Sequence, residues 1–148
     1  MVDLDSKIWT MLQSYRDLKV WRKGMLLTEV VYRLCRKLPP EERYGLSQQL
    51  KRAAVSIPAN IAEGYGRRTL GDYLRFISIA NGSLKEVETL LLLTGRLGLV
   101  PSSEISGALS ASDELGKMLT VLIRRLSIRL TNQRSVPRPT PYTLLPTT

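Results

Sequence analysis

The residues best placed to do chemistry lie in one short stretch, Glu63-Gly64-Tyr65-Gly66-Arg67-Arg68, with Pro58 and Asn60 just before it. Two closely spaced glycines are a fragment of a phosphate-binding loop. The fragment lacks a Gly-Lys-Ser/Thr ending and no strand precedes it, so a hinge between helices is the simpler account. Carboxylates come next. Glu63, Glu86 and Glu88 could pair for acid–base work or hold a metal, but helical di-metal sites use Glu-x-x-His elements, and the chain has no histidine. Without histidine there is no imidazole general base and no triad of the usual kind. No metal and no cofactor is expected. A structural ion pair is the better use of Glu63 or Glu86, with Arg52 as a partner, or else a cap on backbone groups exposed by Pro58. The single cysteine, Cys35, falls on an apolar stripe and reads as a small buried side chain rather than a reactive thiol. Taken together these residues point away from an enzyme.

What remains is positive charge. The 148 residues carry 22 Lys plus Arg against 13 Asp plus Glu, a formal charge of +9. Such a surface attracts polyanions, so nucleic acid or an acidic protein face is the first partner to consider. Arg43, Lys51, Arg52, Arg67, Arg68 and Arg75 gather around one helix and its following corner. Arg124, Arg125 and Arg129 lie in a region that contains five arginines and no acid from Arg124 onward. These nine are the candidate nucleic-acid-binding residues. Their contacts would neutralise phosphates and position a strand without reading sequence. Stacking platforms are few: Tyr44, Tyr65 and Tyr73 are near the cluster and Phe76 reads as buried, so single-strand recognition has thin support.

Periodicity supplies the elements that would hold these groups. Leu46, Leu50, Ala53, Ala54, Ile57 and Ile61 mark one helical face, interrupted by Pro58, which predicts either a kinked helix or two short ones. Ser56 or Asn60 could satisfy the freed backbone, or Asn60 could cap a restart. An earlier helix over about 17–38 presents Leu18, Trp21, Met25, Thr28, Val31 or Tyr32, and Cys35, with Leu27, Val30, Leu34 and Leu38 widening the face; Asp17 is its N-cap or first-turn acid, and Pro39-Pro40 stops it. A third helix, 69–97, starts at the N-cap Thr69, buries Tyr73, Phe76 or Ile77, Ala80, Leu84, Val87, Leu91 and Thr94, and ends at Gly98. Its Gly82 marks a place for close approach to the small residues Ala54–Ala62. A fourth helix opens near Ser102, is weak to Asp113 and strong over Leu115–Leu130, and stops by Asn132.

The fold class is therefore all-α: an antiparallel up-down-up-down four-helix bundle over 16–132. Before it comes a leader, 1–15, in which Ile8, Trp9, Met11 and Leu12 could dock as a short amphipathic turn. After it, 133–148 forms a Pro-rich flexible tail with four prolines after Ser135. The N-terminus does not read as a secretory signal. The longest apolar run, Leu90–Leu93, is too short for a membrane. A lone cysteine suits the cytoplasm.

Three blocks in order carry a family resemblance: Arg16-Asp17-Leu18-Lys19-Val20-Trp21; Arg43-Tyr44-Gly45-Leu46 through Arg52-Ala53-Ala54-Val55-Ser56-Ile57-Pro58 to Asn60-Ile61-Ala62-Glu63-Gly64 and Gly66-Arg67; and Ile79-Ala80 with Gly82-Ser83-Leu84-Lys85-Glu86. Over about 15–126 the chain resembles the four-helix-bundle family named for proteins encoded in intervening sequences of bacterial 23S ribosomal RNA genes. It is more distantly similar to the accessory subunit of diversity-generating retroelements. The resemblance implies no agreed catalytic site. It implies a ring-like homo-oligomer, commonly a pentamer, with basic surface displayed on it. The partner expected for that surface is nucleic acid, RNA ahead of DNA. In the retroelement case it also implies contact with a reverse transcriptase. The alternative function is a protein–protein adaptor with no nucleic-acid role.

Overall fold

A computed structural model describes residues 12–135. They form four α-helices: α1 (Lys19–Cys35), α2 (Leu46–Tyr65), α3 (Leu70–Arg96) and α4 (Ser102–Ser135), with 3-10 turns at Tyr15–Asp17 and Pro40–Glu42. No strand occurs among the described residues. Each helix packs on its two neighbours around a square, α1 on α2, α2 on α3, α3 on α4 and α4 on α1. Paired contacts run in opposite directions. Thr28 meets Ala54 while Cys35 meets Ser47, and Lys23 meets Glu114 while Lys37 meets Glu104. The bundle is thus antiparallel, up-down-up-down. The core is continuous from Leu27, Val31 and Leu34 through Leu50, Ile57 and Ile61 to Ile77, Leu84, Leu91, Leu115, Leu119 and Leu126.

The first helix is turned about one position from the expected stripe. Val20, Gly24, Leu27, Val31, Leu34 and Cys35 face inward, whereas Met25 and Tyr32 are 39% and 41% exposed. Gly24 faces α2, where a Cβ built on it would lie in ordinary contact with Pro58 Cβ and Ile57 Cγ2 at 3.5 Å. Asp17 caps not α1 but the preceding 3-10 turn, accepting the Gln13 and Ser14 N–H groups at 3.0 and 3.1 Å.

Pro58 neither breaks α2 nor relies on Ser56 or Asn60. The helix is continuous through it. The carbonyl that a Pro58 N–H would have served is Ala54 O, four residues back. It accepts instead from Thr28 Oγ1 on α1 at 3.0 Å, a hydroxyl shared with Gly24 O at 2.8 Å. Asn60 donates to Ser56 O and Oγ at 2.7 and 2.9 Å, and Ser56 Oγ meets Ser83 Oγ across the α2–α3 seam at 2.8 Å.

The close α2–α3 approach lies at Gly64, not Gly82. A Cβ at Gly64 would fall 2.7 Å from Phe76 Cβ and 3.3 Å from Tyr73 O, whereas Gly82 is exposed with nothing within 4 Å. Gly98 does end α3 as expected. Its φ of +66° and the Leu99 N–H to Thr94 O and Gly98 N–H to Gly95 O bonds, 3.3 and 3.0 Å, form the left-handed cap that glycine allows. The fourth helix continues past Asn132 to Ser135. Of the leader, Leu12 packs on the core and its carbonyl accepts from Tyr65 Oη at 3.2 Å. Ile8, Trp9, Met11 and nearly all of the expected tail lie outside the described residues.

Candidate functional site

The nine candidate cations fall into three groups. Arg43, Lys51 and Arg52 surround the start of α2, beside the C-terminal half of α1. They line an open groove of about 590 Å³ together with Tyr32, Tyr44 and Val55. No carboxylate lines this groove, and none of the three cations has an ion-pair partner among the described residues. Lys51 Nζ stands 5.1 Å above the Tyr32 ring centre and Arg43 Cζ 5.6 Å above that of Tyr44, within the range in which a ring face attracts a cation.

The second group, Arg67, Arg68 and Arg75, sits at the α2–α3 corner. A 20-residue α2 separates it from Arg43, or about 30 Å at 1.5 Å per residue. The guanidinium carbons of Arg67 and Arg75 lie 4.7 and 4.8 Å from the Phe76 ring centre. Arg67 also pairs with Glu63 at 2.7 Å. Phe76 is buried beneath them. The third group, Arg124, Arg125 and Arg129, lies on the last turns of α4. Gly95 packs on Ile105 and Gly116 on Leu84, so this part of α4 runs beside the start of α3, at the same end as the α2–α3 corner. Arg124 and Arg125 are exposed and Arg129 is half-buried.

The acids do not converge. Glu63 pairs with Arg67 rather than Arg52, and Glu88 with Lys85 at 3.1 Å. Glu86 lines a separate cleft with Arg52, Ser56 and Ser83 but makes no ion pair among the described residues. No group of three His, Cys, Asp or Glu side chains gathers among the described residues as a metal site would need. Gly64 and Gly66 belong to the last turn and cap of α2, so their backbone serves the helix end. Cys35 is buried, with Sγ 3.8 Å from Ser47 O. Burial pushes its thiol pKa up, against smaller downward effects of nearby Lys51 and the Ser47 contact. Among the described residues no helix is long and apolar enough to cross a membrane.

Of the anticipated aromatics, Tyr73 is buried and Tyr65 half-buried. Tyr44 is 80% exposed. The sequence reading did not single out Val55, and it kept Tyr32 only as an alternative to Val31 on the apolar stripe of α1. The usable signal was adjacency: Val31 and Tyr32 compete for one core slot, and the β-branched residue takes it.

The sequence profile of the family described as 23S rRNA-intervening sequence protein matches residues 16–121. The chain belongs to this family. It is also similar to a crystal structure of a protein of unknown function from the S23 ribosomal protein family of Bacteroides thetaiotaomicron VPI-5482. That similarity has 25% identity and a TM-score of 0.66, covering 70% of this chain and 97% of the other. No curated protein matches the chain. The family match spans α1, α2, α3 and most of α4, and so contains the groove and the α2–α3 corner but stops short of Arg124.

Proposed function

We propose that this family member is a non-enzymatic accessory protein of the cytoplasm that binds structured RNA through arginine and lysine contacts to phosphate. The observation that carries this reading is the groove beside α2, where Arg43, Lys51 and Arg52 stand together without a lining carboxylate. None of the three is held in an ion pair among the described residues, although Arg52 also lines the neighbouring cleft with Glu86, whereas Arg67 already shares its charge with Glu63. The corner and α4 groups add phosphate contacts at the opposite end. The protein works as a ring-like homo-oligomer, a pentamer, so that weak contacts repeated around the ring give avidity. A narrower version makes it the accessory subunit of a reverse transcriptase in a diversity-generating retroelement. The family resemblance is its only support.

The test is fluorescence polarisation of a labelled RNA hairpin at several salt concentrations. Each phosphate contact lowers the slope of log K against log salt by about 0.9. Replacing Arg43, Lys51 and Arg52 by alanine should therefore flatten that slope by about 3 units per groove engaged. Binding that is absent, or independent of salt, refutes the proposal. Recovery of a bound protein but no RNA after nuclease treatment would establish the adaptor instead.

A further inference from the structure

We infer that the groove between α1 and α2 is a stacking site for unpaired nucleotides, with Tyr44 and Tyr32 as the base platforms and Arg43, Lys51 and Arg52 as the phosphate contacts. This deepens the nucleic-acid reading and rests on it. A nucleotide has two parts to recognise, a flat apolar base and a charged phosphate. The groove offers matching pairs: Arg43 over one face of the Tyr44 ring at 5.6 Å and Lys51 over one face of the Tyr32 ring at 5.1 Å. Both rings are open to solvent, 80% for Tyr44 and 41% for Tyr32, and Val55 adds an apolar floor. In a duplex the base faces are already stacked on one another, so only loops, bulges and single strands can offer a face to such a ring.

Two comparisons within the molecule support the assignment. At the α2–α3 corner the cations also stand over an aromatic, but Phe76 is buried beneath Arg67 and Arg75. That corner can hold phosphate and cannot stack a base. The platform in the groove is also braced. Tyr44 follows the 3-10 turn Pro40–Glu42. Glu42 Oε2 accepts the Leu46 N–H at 3.1 Å. The Gly45 N–H donates to Glu42 O at 3.0 Å, and the Gln49 N–H to Gly45 O at 3.1 Å. Tyr44 itself buries almost nothing, so the fold gains little from it. An aromatic held out on a hydrogen-bonded loop needs little further ordering when a ligand arrives.

The experiment compares a labelled 12-nucleotide A-rich single-stranded RNA with a blunt-ended RNA duplex that has no loop, using the full chain and its Tyr44→Ala, Tyr32→Ala and Tyr44→Phe variants. Circular dichroism confirms that each variant is folded. Stacking on one ring is worth about tenfold in affinity, so Tyr44→Ala lowers the ratio of single-strand to duplex affinity about tenfold. Tyr32→Ala lowers it in the same direction, and Tyr44→Phe retains the wild-type ratio. An unchanged ratio in Tyr44→Ala, with duplex binding intact in the wild type, overturns the stacking site and leaves the phosphate reading standing. A wild-type protein that binds neither RNA overturns both.

Discussion

Exchanging either of two glycines for alanine should move the stability of this bundle in opposite directions. At Gly64 the new Cβ lies 2.7 Å from Phe76 Cβ, 3.1 Å from Tyr73 Cδ2 and 3.3 Å from Tyr73 O. Carbon atoms pack at about 3.5–4.0 Å, so the overlap approaches 1 Å. Phe76 Cβ is fixed to its backbone and Tyr73 O is backbone, so no side-chain rotation relieves it. The helices α2 and α3 must separate locally. Overpacking of this kind costs about 1–3 kcal/mol, offset by less than about 1 kcal/mol from alanine's better helix propensity. The net loss is about 1–2 kcal/mol, which for a chain of this size lowers Tm by about 2–8 °C. At Gly82 nothing stands within 4 Å, the position is mid-helix and exposed, and alanine gains about 0.5–1 kcal/mol. Its Tm should rise by about 1–4 °C. Thermal melts followed at 222 nm, at one protein concentration, read both. A loss at Gly82 with none at Gly64 would put a second backbone against Gly82 and refute the packing described for the α2–α3 seam.

Two further outcomes concern the core. Thr28→Val keeps the side-chain shape but strands Ala54 O, so urea unfolding should show a loss of about 1–3 kcal/mol; Pro58→Ala restores an N–H to that carbonyl, so Thr28→Val should cost measurably less in a Pro58→Ala background, and equal costs in both would show that Thr28 does not serve the proline. Cys35 has a pKa raised above its ordinary 9.0 by burial, so the unfolded chain releases the thiol proton first. Its contribution to stability is complete below pH 9 and is lost as pH rises from there toward the folded value. The urea midpoint should fall more steeply above pH 9 in the wild type than in Cys35→Ala. Tyr73, raised from 10.0 mainly by burial and then by Tyr65, adds a second decline that begins about one pH unit higher and persists in that variant.

The bundle was legible because its buried positions repeat at helical spacing. Leu46 to Ile61 on α2 and Tyr73 to Thr94 on α3 are buried as their spacing predicts, and Thr69 and Gly98 bound α3 through capping chemistry that is local in sequence. What spacing could not give was the rotation of α1 or the partner of a glycine. Both depend on which residues meet across a seam. Gly24, Gly64 and Gly82 look alike in the sequence, yet the first two are packed and the third is open. The answer to Pro58 was hidden for the same reason: Thr28, which caps the freed carbonyl, lies 26 residues away on another helix.

The same limit applies to the candidate site, where composition reports an excess of charge but not where the charge is free. Along α1, α3 and α4, Arg33, Lys85 and Lys117 are tied to Glu29, Glu88 and Asp113 within one helical turn, while Lys23 and Lys37 bridge to α4. Exposed pairs of this sort stabilise by no more than about 1 kcal/mol each, but they reduce the field that an approaching phosphate would meet. Arg43, Lys51 and Arg52 stand in a groove with no carboxylate on its walls, beside two exposed tyrosines. The +9 excess therefore matters less than its distribution. A charge reversal at Arg52 should cost more RNA affinity than one at Lys117, although both change the net charge equally. Equal losses would mean that the protein attracts RNA through its overall charge, with no particular use for the groove.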